Sequence, residues 1–259
     1  MSGMDEINDL QFVACDAMVG VPRQPLASGD SSVADLEQEM ARLNLRAAVV
    51  RHRFCQECAP YLGNQILMDE IRGHANLLPA WVLTPDGDEP DFDIAATVQR
   101  MLKAGVKLAW ISPKRHSFSV ERWCSGDLYA ALAEARVPLL LDWDLQTPNE
   151  LNHMCAEFPG LRVVILNPSR DGRDRLLFPL LKQHQNLHLC FSPVYGVHEG
   201  FRHLVKQFGA SRWVFGTGYP EAEGGSGVSG LMYAGLPDDV VRAVAHENIE
   251  RLLAEVKHL

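Results

Sequence analysis

The chain has 259 residues, 47% of them apolar and 22% charged, with a formal net charge of −9, and that length can bury roughly 70–75% of its unfolded surface in a single core. The basic residues are scattered, which argues against a nucleic-acid surface, and no apolar run approaches the ~20 residues of a membrane span. The polar, acidic start from Met1 to Leu10 is unlike a secretory signal, so a cytoplasmic location is expected, with Cys15, Cys55, Cys58, Cys124, Cys155 and Cys190 as reduced thiols.

Short aliphatic runs alternate with longer amphipathic stretches along the whole chain. A strand is predicted at Gln11–Asp16, then a helix at Val33–Leu43 with Leu36, Met40 and Leu43 on one stripe and Ser32 or Asp30 available near its start. Strands follow at Ala47–His52 and Leu78–Leu83, then a helix at Asp93–Ala104 carrying Ile94, Val98, Met101 and Leu102. Strand Val106–Ser112 precedes helix Gly126–Ala135, and strands Val137–Asp142 and Leu161–Asn167 precede helix Arg173–His184. Strands Leu187–Ser192 and Arg212–Thr217 come next, the Gly/Ser tract Glu223–Gly230 reads as a mobile loop over the barrel mouth or a plain surface excursion, and a helix at Pro237–Val256 ends the chain.

Strand starts recur every ~25–35 residues, the length of one β/α unit. Near-continuous apolar strands such as Val137-Pro-Leu-Leu-Leu fit a parallel sheet covered on both faces. Eight alternations, without a Gly-rich phosphate loop, predict a single-domain (β/α)8 TIM barrel over residues 1–259 rather than an open doubly wound sheet.

Chemistry in such a barrel gathers at the C-terminal ends of the strands, where the βα loops lie. Strand five delivers Asp142 and Asp144, two residues apart and so on one side of a continuing strand, where like charges form an acid/base pair; alternatively Asp144 caps the helix near Thr147-Pro-Asn. His52 ends strand two as a general base or ligand partner, or as a satisfied histidine at the rim of the core. By alternation Arg51 and Arg53 face away from His52, towards helix packing or surface pairs.

Asn167 and Arg170 follow strand six, where an arginine could clamp a carboxylate, against the alternative of a solvated loop with Asp171, Arg173 and Asp174. Lys107 or Trp110 faces the interior of strand four, but alternation forbids both, and a packed barrel layer accounts for either. Trp81 stands on strand three, and Tyr219 contacts ligand or seals the barrel end. Asp16 reads as a buried carboxylate accepting backbone hydrogen bonds. Cys55 and Cys58 form a CxxC without a second pair at zinc spacing, and no Gly-x-Ser-x-Gly elbow is present.

Phe215-Gly-Thr-Gly-Tyr-Pro220 resembles the Phe-Gly-Ser-Asp-Tyr-Pro signature of the amidohydrolase-2 family, and His246-Glu-Asn-Ile-Glu-Arg-Leu-Leu253 is similar to that family's final Asn-Ala-x-Arg-Leu-Leu helix. Cys15-Asp16-Ala17-Met18-Val19-Gly20 stands where the family carries Asp-x-His-x-His. The resemblance implies a TIM barrel and hydrolytic chemistry, usually on a divalent metal. Here the two strand-one histidines are replaced by Met18 and Gly20, those of strands five and six by Asp142 and Asn167, and the strand-eight aspartate by Gly218. The resemblance extends to pyrone-dicarboxylate lactonases, which work without metal.

The resulting expectation is a metal-independent, amidohydrolase-like hydrolase without cofactor, acting on a small carboxylate-bearing molecule. Asp142, Asp144 and His52 would handle protons; Asn167, Arg170, Lys107, Trp110 and Tyr219 would contact the ligand. The alternative is a catalytically inactive relative that binds a ligand or a protein. The resemblance also implies a homodimer.

Overall fold

A computed structural model describes residues 10–21, 31–87, 92–143, 146–168, 174–193 and 200–257. Strands β1 (Phe12–Val19), β2 (Leu45–His52), β3 (Leu77–Val82), β4 (Leu108–Ile111), β5 (Leu139–Asp142), β6 (Val163–Leu166), β7 (Leu187–Phe191) and β8 (Trp213–Phe215) lie side by side in chain order. Every hydrogen-bonded neighbour pair is parallel. With helices between the strands, this is the (β/α)8 TIM barrel that the periodicity predicts.

Strand alternation divides the core into two layers. Val13, Val49, Val82, Trp110, Leu140, Leu166, Cys190 and Val214 meet inside the barrel, whereas Ala48, Val50, Ile111, Leu141, Ile165, Leu189 and Phe215 pack outwards against the helices. Ile249 and Leu252 of the helix Asn248–Ala254 join the inner set. Asn248 beside them donates to the carbonyls of Ala210 and Trp213 at 2.9 and 2.8 Å, at the start of β8. The last helix therefore closes the N-terminal end of the barrel and leaves the opposite end for a site.

Closure between β8 and β1 uses a side chain. The β1–β2 register shifts between Ala14 and Ala17, a bulge that turns Asp16 towards β8. Its carboxylate accepts from the amides of Thr217 and Gly218 at 2.8 and 3.0 Å, and the Met18 amide donates to the Tyr219 carbonyl at 3.0 Å. This is the backbone-bonded role expected of Asp16.

The helix starts follow their capping residues. Ser32 and Asp35 form a capping box on the helix Val33–Arg42, Thr147 and Glu150 form another on Pro148–Glu157, and Asp93 caps Ile94–Lys103, each cap contributing about 1 kcal/mol.

One expectation fails here, because Gly225–Met232 is a helix and not a loop. The Glu223 carboxylate accepts from the amides of Gly225 and Ser226, both at 3.1 Å. Its glycines reflect close packing: a Cβ at Gly224 would stand 2.6 Å from Leu43, and one at Gly227 3.2 Å from Pro193.

Candidate functional site

Three strand ends converge at the open mouth. Asp142 ends β5, half-buried; Asn167 follows β6 and donates its amide to Asp142 Oδ1 at 3.1 Å. Arg51, near the end of β2, brings Nη1 to 3.5 Å from Asp142 Oδ2. Its guanidinium carbon lies 3.5 Å from the centroid of the Trp110 ring, a cation–π stack inside the barrel. Oriented with its oxygen towards Arg51, the Gln56 amide accepts from Nη1 and Nη2 at 2.6 and 3.1 Å.

The electrostatics follow from this packing. Burial works against the Arg51 charge, and the carboxylates of Asp142, Glu221 and Asp16 oppose that effect, Asp142 most strongly. Asp16 is pushed up to about 6, chiefly by burial and against the pull of its two amide donors, with the Asp142 charge adding to the rise. Glu221 also faces Arg53, whose Nη1 is 3.4 Å away.

Several buried polar atoms here have no hydrogen-bond partner among the described residues: Arg51 Nε, Trp110 Nε1, Asn167 Oδ1, Ser112 Oγ and Ser192 Oγ. Buried polar groups are normally bonded, so these strand ends carry an unusual concentration of unsatisfied donors and acceptors.

Of the residues expected at the site, Asp142, Asn167 and Trp110 come together, joined by Arg51. His52 does not join them. It shares the outward face of Ala48 and Val50, accepts from the Phe54 amide at 3.1 Å and reaches Glu70 at 3.4 Å. Burial lowers its pKa, while Glu70 opposes the shift.

The assignment of Arg51 to helix packing or a surface pair is corrected: it faces inwards with Val49. Arg53 is buried and pairs with Glu221 and Glu57. Lys107 precedes β4 and so stands at the opposite end of the strand from the mouth. Tyr219 packs against the outer core, where burial first, and then Asp35 and Glu39, raise its phenol to about 12. Trp81 also turns outwards and lines a cavity of about 190 Å³ with Tyr61, Asn64, Leu83 and Phe92. Asp144, Arg170 and Arg173 lie outside the described residues.

The described residues do not fit a divalent metal of the family's usual kind. Met18 and Gly20 offer no imidazole, and no group of three His, Cys, Asp or Glu side chains among the described residues could hold an ion. Gly218 has φ +66°, and a Cβ there would stand 2.8 Å from that of Ala222, so the family's strand-eight aspartate has no relaxed place. An ion on Asp142 would also face the Arg51 guanidinium, a repulsion of several kcal/mol at effective dielectrics near 20.

The same barrel occurs in solved proteins of low sequence identity. An uncharacterised TIM-barrel protein from Bordetella bronchiseptica is 18% identical with a TM-score of 0.73, over 95% of this chain and 99% of that one. A 2,6-dihydroxybenzoate decarboxylase from Rhizobium is 13% identical with a TM-score of 0.76, over 95% and 99%. A Pseudomonas putida protein described as a 2-pyrone-4,6-dicarboxylic acid hydrolase is 18% identical with a TM-score of 0.68, over 96% and 99%. No curated protein matches the sequence. The amidohydrolase family model matches residues 14–254, nearly the whole barrel, and the chain belongs to that family.

Proposed function

We propose that this barrel is a metal-independent hydrolase acting on a small carboxylate-bearing molecule, with Asp142 as its acid/base group. The supporting observation is the placement of Asp142 between Asn167 and Arg51, with 18% of its side chain still exposed at the mouth. Asn167 fixes one carboxylate oxygen; the other borders the space in front of Arg51. Water positioned there gives its proton to Asp142 as it attacks an ester or lactone carbonyl, and the proton passes on to the departing oxygen.

The carboxylate substrate class is supported by the Arg51 guanidinium at the mouth and by the names of the barrel's structural neighbours, a dihydroxybenzoate decarboxylase and a pyrone-dicarboxylic acid hydrolase. Asp144 as a second carboxylate and Arg170 as an anion contact remain part of the proposal from their sequence positions.

The test is turnover of a lactone and carboxylate-ester panel by EDTA-dialysed protein, with D142N alongside. Loss of general acid/base catalysis costs about 10²–10⁴-fold, and D142N should fall by that much with its fold intact. Unchanged turnover in D142N, or turnover that needs added metal, overturns the reading.

A further inference from the structure

We infer that Arg51 is the resident cation of this barrel, standing against Asp142 in place of a divalent metal and receiving the carboxylate of the ligand. The inference rests on the mouth being the substrate site and adds the group that reads the ligand. By the sequence resemblance Asp142 and Asn167 stand where the family carries its strand-five and strand-six histidines, and the positive group facing Asp142 is a guanidinium.

The Arg51–Asp142 contact is loose. At 3.5 Å it is longer than the 2.7–2.9 Å of a charge-assisted bond. Arg51 Nε has no partner among the described residues, so the guanidinium keeps donor capacity. Its plane is set by the Trp110 ring on one face and by Gln56 at its tip. A fork held in this way, its side chain only 7% exposed, suits a planar two-oxygen anion. Asn167 Oδ1 and Trp110 Nε1, both shut off from solvent, also lack a hydrogen-bond partner among the described residues. The ligand class that the fork selects is a small planar carboxylate.

The probe is benzoate, titrated calorimetrically into EDTA-dialysed protein, with benzamide as the neutral control. Benzoate should bind and benzamide should not. Replacing the charge in R51M should weaken benzoate by about tenfold or more, the usual worth of a hydrogen bond to a charged group. D142N should bind benzoate more tightly, because a competing carboxylate has gone; a purely structural ion pair gives no such gain.

Wild-type affinity in R51M, equal binding of benzamide, binding only after Mn²⁺ is added, or no benzoate binding overturns the inference. Should R51M not fold, D142N decides: tighter binding supports the inference, unchanged or weaker binding overturns it. The two proposals fail separately. Benzoate binding indifferent to Arg51, with Asp142-dependent turnover intact, removes only the inference. Arg51-dependent binding with no turnover removes only the hydrolase.

Discussion

Arg51 and His52 are consecutive residues of β2 that serve opposite sides of the barrel wall. Arg51 stacks on Trp110 inside, and His52 reaches Glu70 on the helix Pro60–Glu70 outside. Their side chains meet different neighbours, one Trp110 and Asp142 inside the barrel and the other the start of the helix Arg53–Glu57, whose Phe54 amide donates to His52 Nδ1.

His52→Ala should therefore cost stability and leave the site alone. Removing a side-chain cap costs about 1 kcal/mol, read as a lower urea midpoint at an unchanged denaturant slope. Benzoate affinity should stay at its wild-type value. A folded H52A protein that has lost benzoate binding or turnover would return His52 to the list of catalytic groups.

Gly216 should tolerate no side chain. A Cβ there would lie 2.4 Å from both Asp16 Oδ2 and Cys190 Sγ, and Asp16 cannot retreat without releasing the amides of Thr217 and Gly218. Overpacking costs about 1–3 kcal/mol, and G216A should lie at or above the top of that range because the β8–β1 seam opens with it. Gly105 is the control: φ is +82° but nothing lies within 4 Å of its Cβ, so G105A should cost only the left-handed penalty of roughly 1–2 kcal/mol. Gly216 carries no positive φ, so its loss is crowding alone, and a loss no larger than that of G105A would mean that Asp16 and Cys190 give way at little cost.

Returning the family's acid to strand eight should not return a metal. Gly218→Asp meets Ala222 and a left-handed backbone, and Met18 and Gly20 still supply no imidazole. Elemental analysis of purified G218D should find substoichiometric zinc and manganese, with some loss of stability. One bound equivalent would mean that the mouth can rearrange around an ion despite Arg51.

The barrel was legible because its signal is periodic: apolar runs at β/α spacing, and a Ser32 cap that forms where predicted. The Gly/Ser tract misled because composition does not distinguish glycine chosen for freedom from glycine chosen for contact, and Gly224 and Gly227 are in contact. Asp142, Asn167 and Trp110 were readable from strand-end position. Arg51 was not, because Ala47 to Val50 is apolar on both faces and leaves the parity of β2 open. The deciding signal was Arg46, exposed and paired with Glu250: a solvated charge two, four and six residues before Ala48, Val50 and His52 puts that whole set outside and Arg51 inside.

Two buried groups should give opposite pH dependences. His188 on β7 is pushed down to about 3, first by burial and then by Arg212 and other arginines. An unfolded histidine protonates near 6.5, so the stability tied to neutral His188 is complete above that pH and is lost as pH falls towards 3. Asp16, raised from 3.8 to about 6, has the reverse sign: its contribution is complete below 3.8 and is lost as pH rises through 6. Each slope approaches about 1.4 kcal/mol per pH unit where one state is titrated and the other is not. Between pH 6 and 4 the two nearly cancel, and below 4 His188 acts alone. Urea unfolding at pH 7, 5 and 4 should show H188Q gaining stability relative to wild type as the pH falls, and D16N losing it over the same range. Parallel curves for H188Q and wild type would place the His188 proton in the folded state as well, and the buried, neutral imidazole would have to be abandoned.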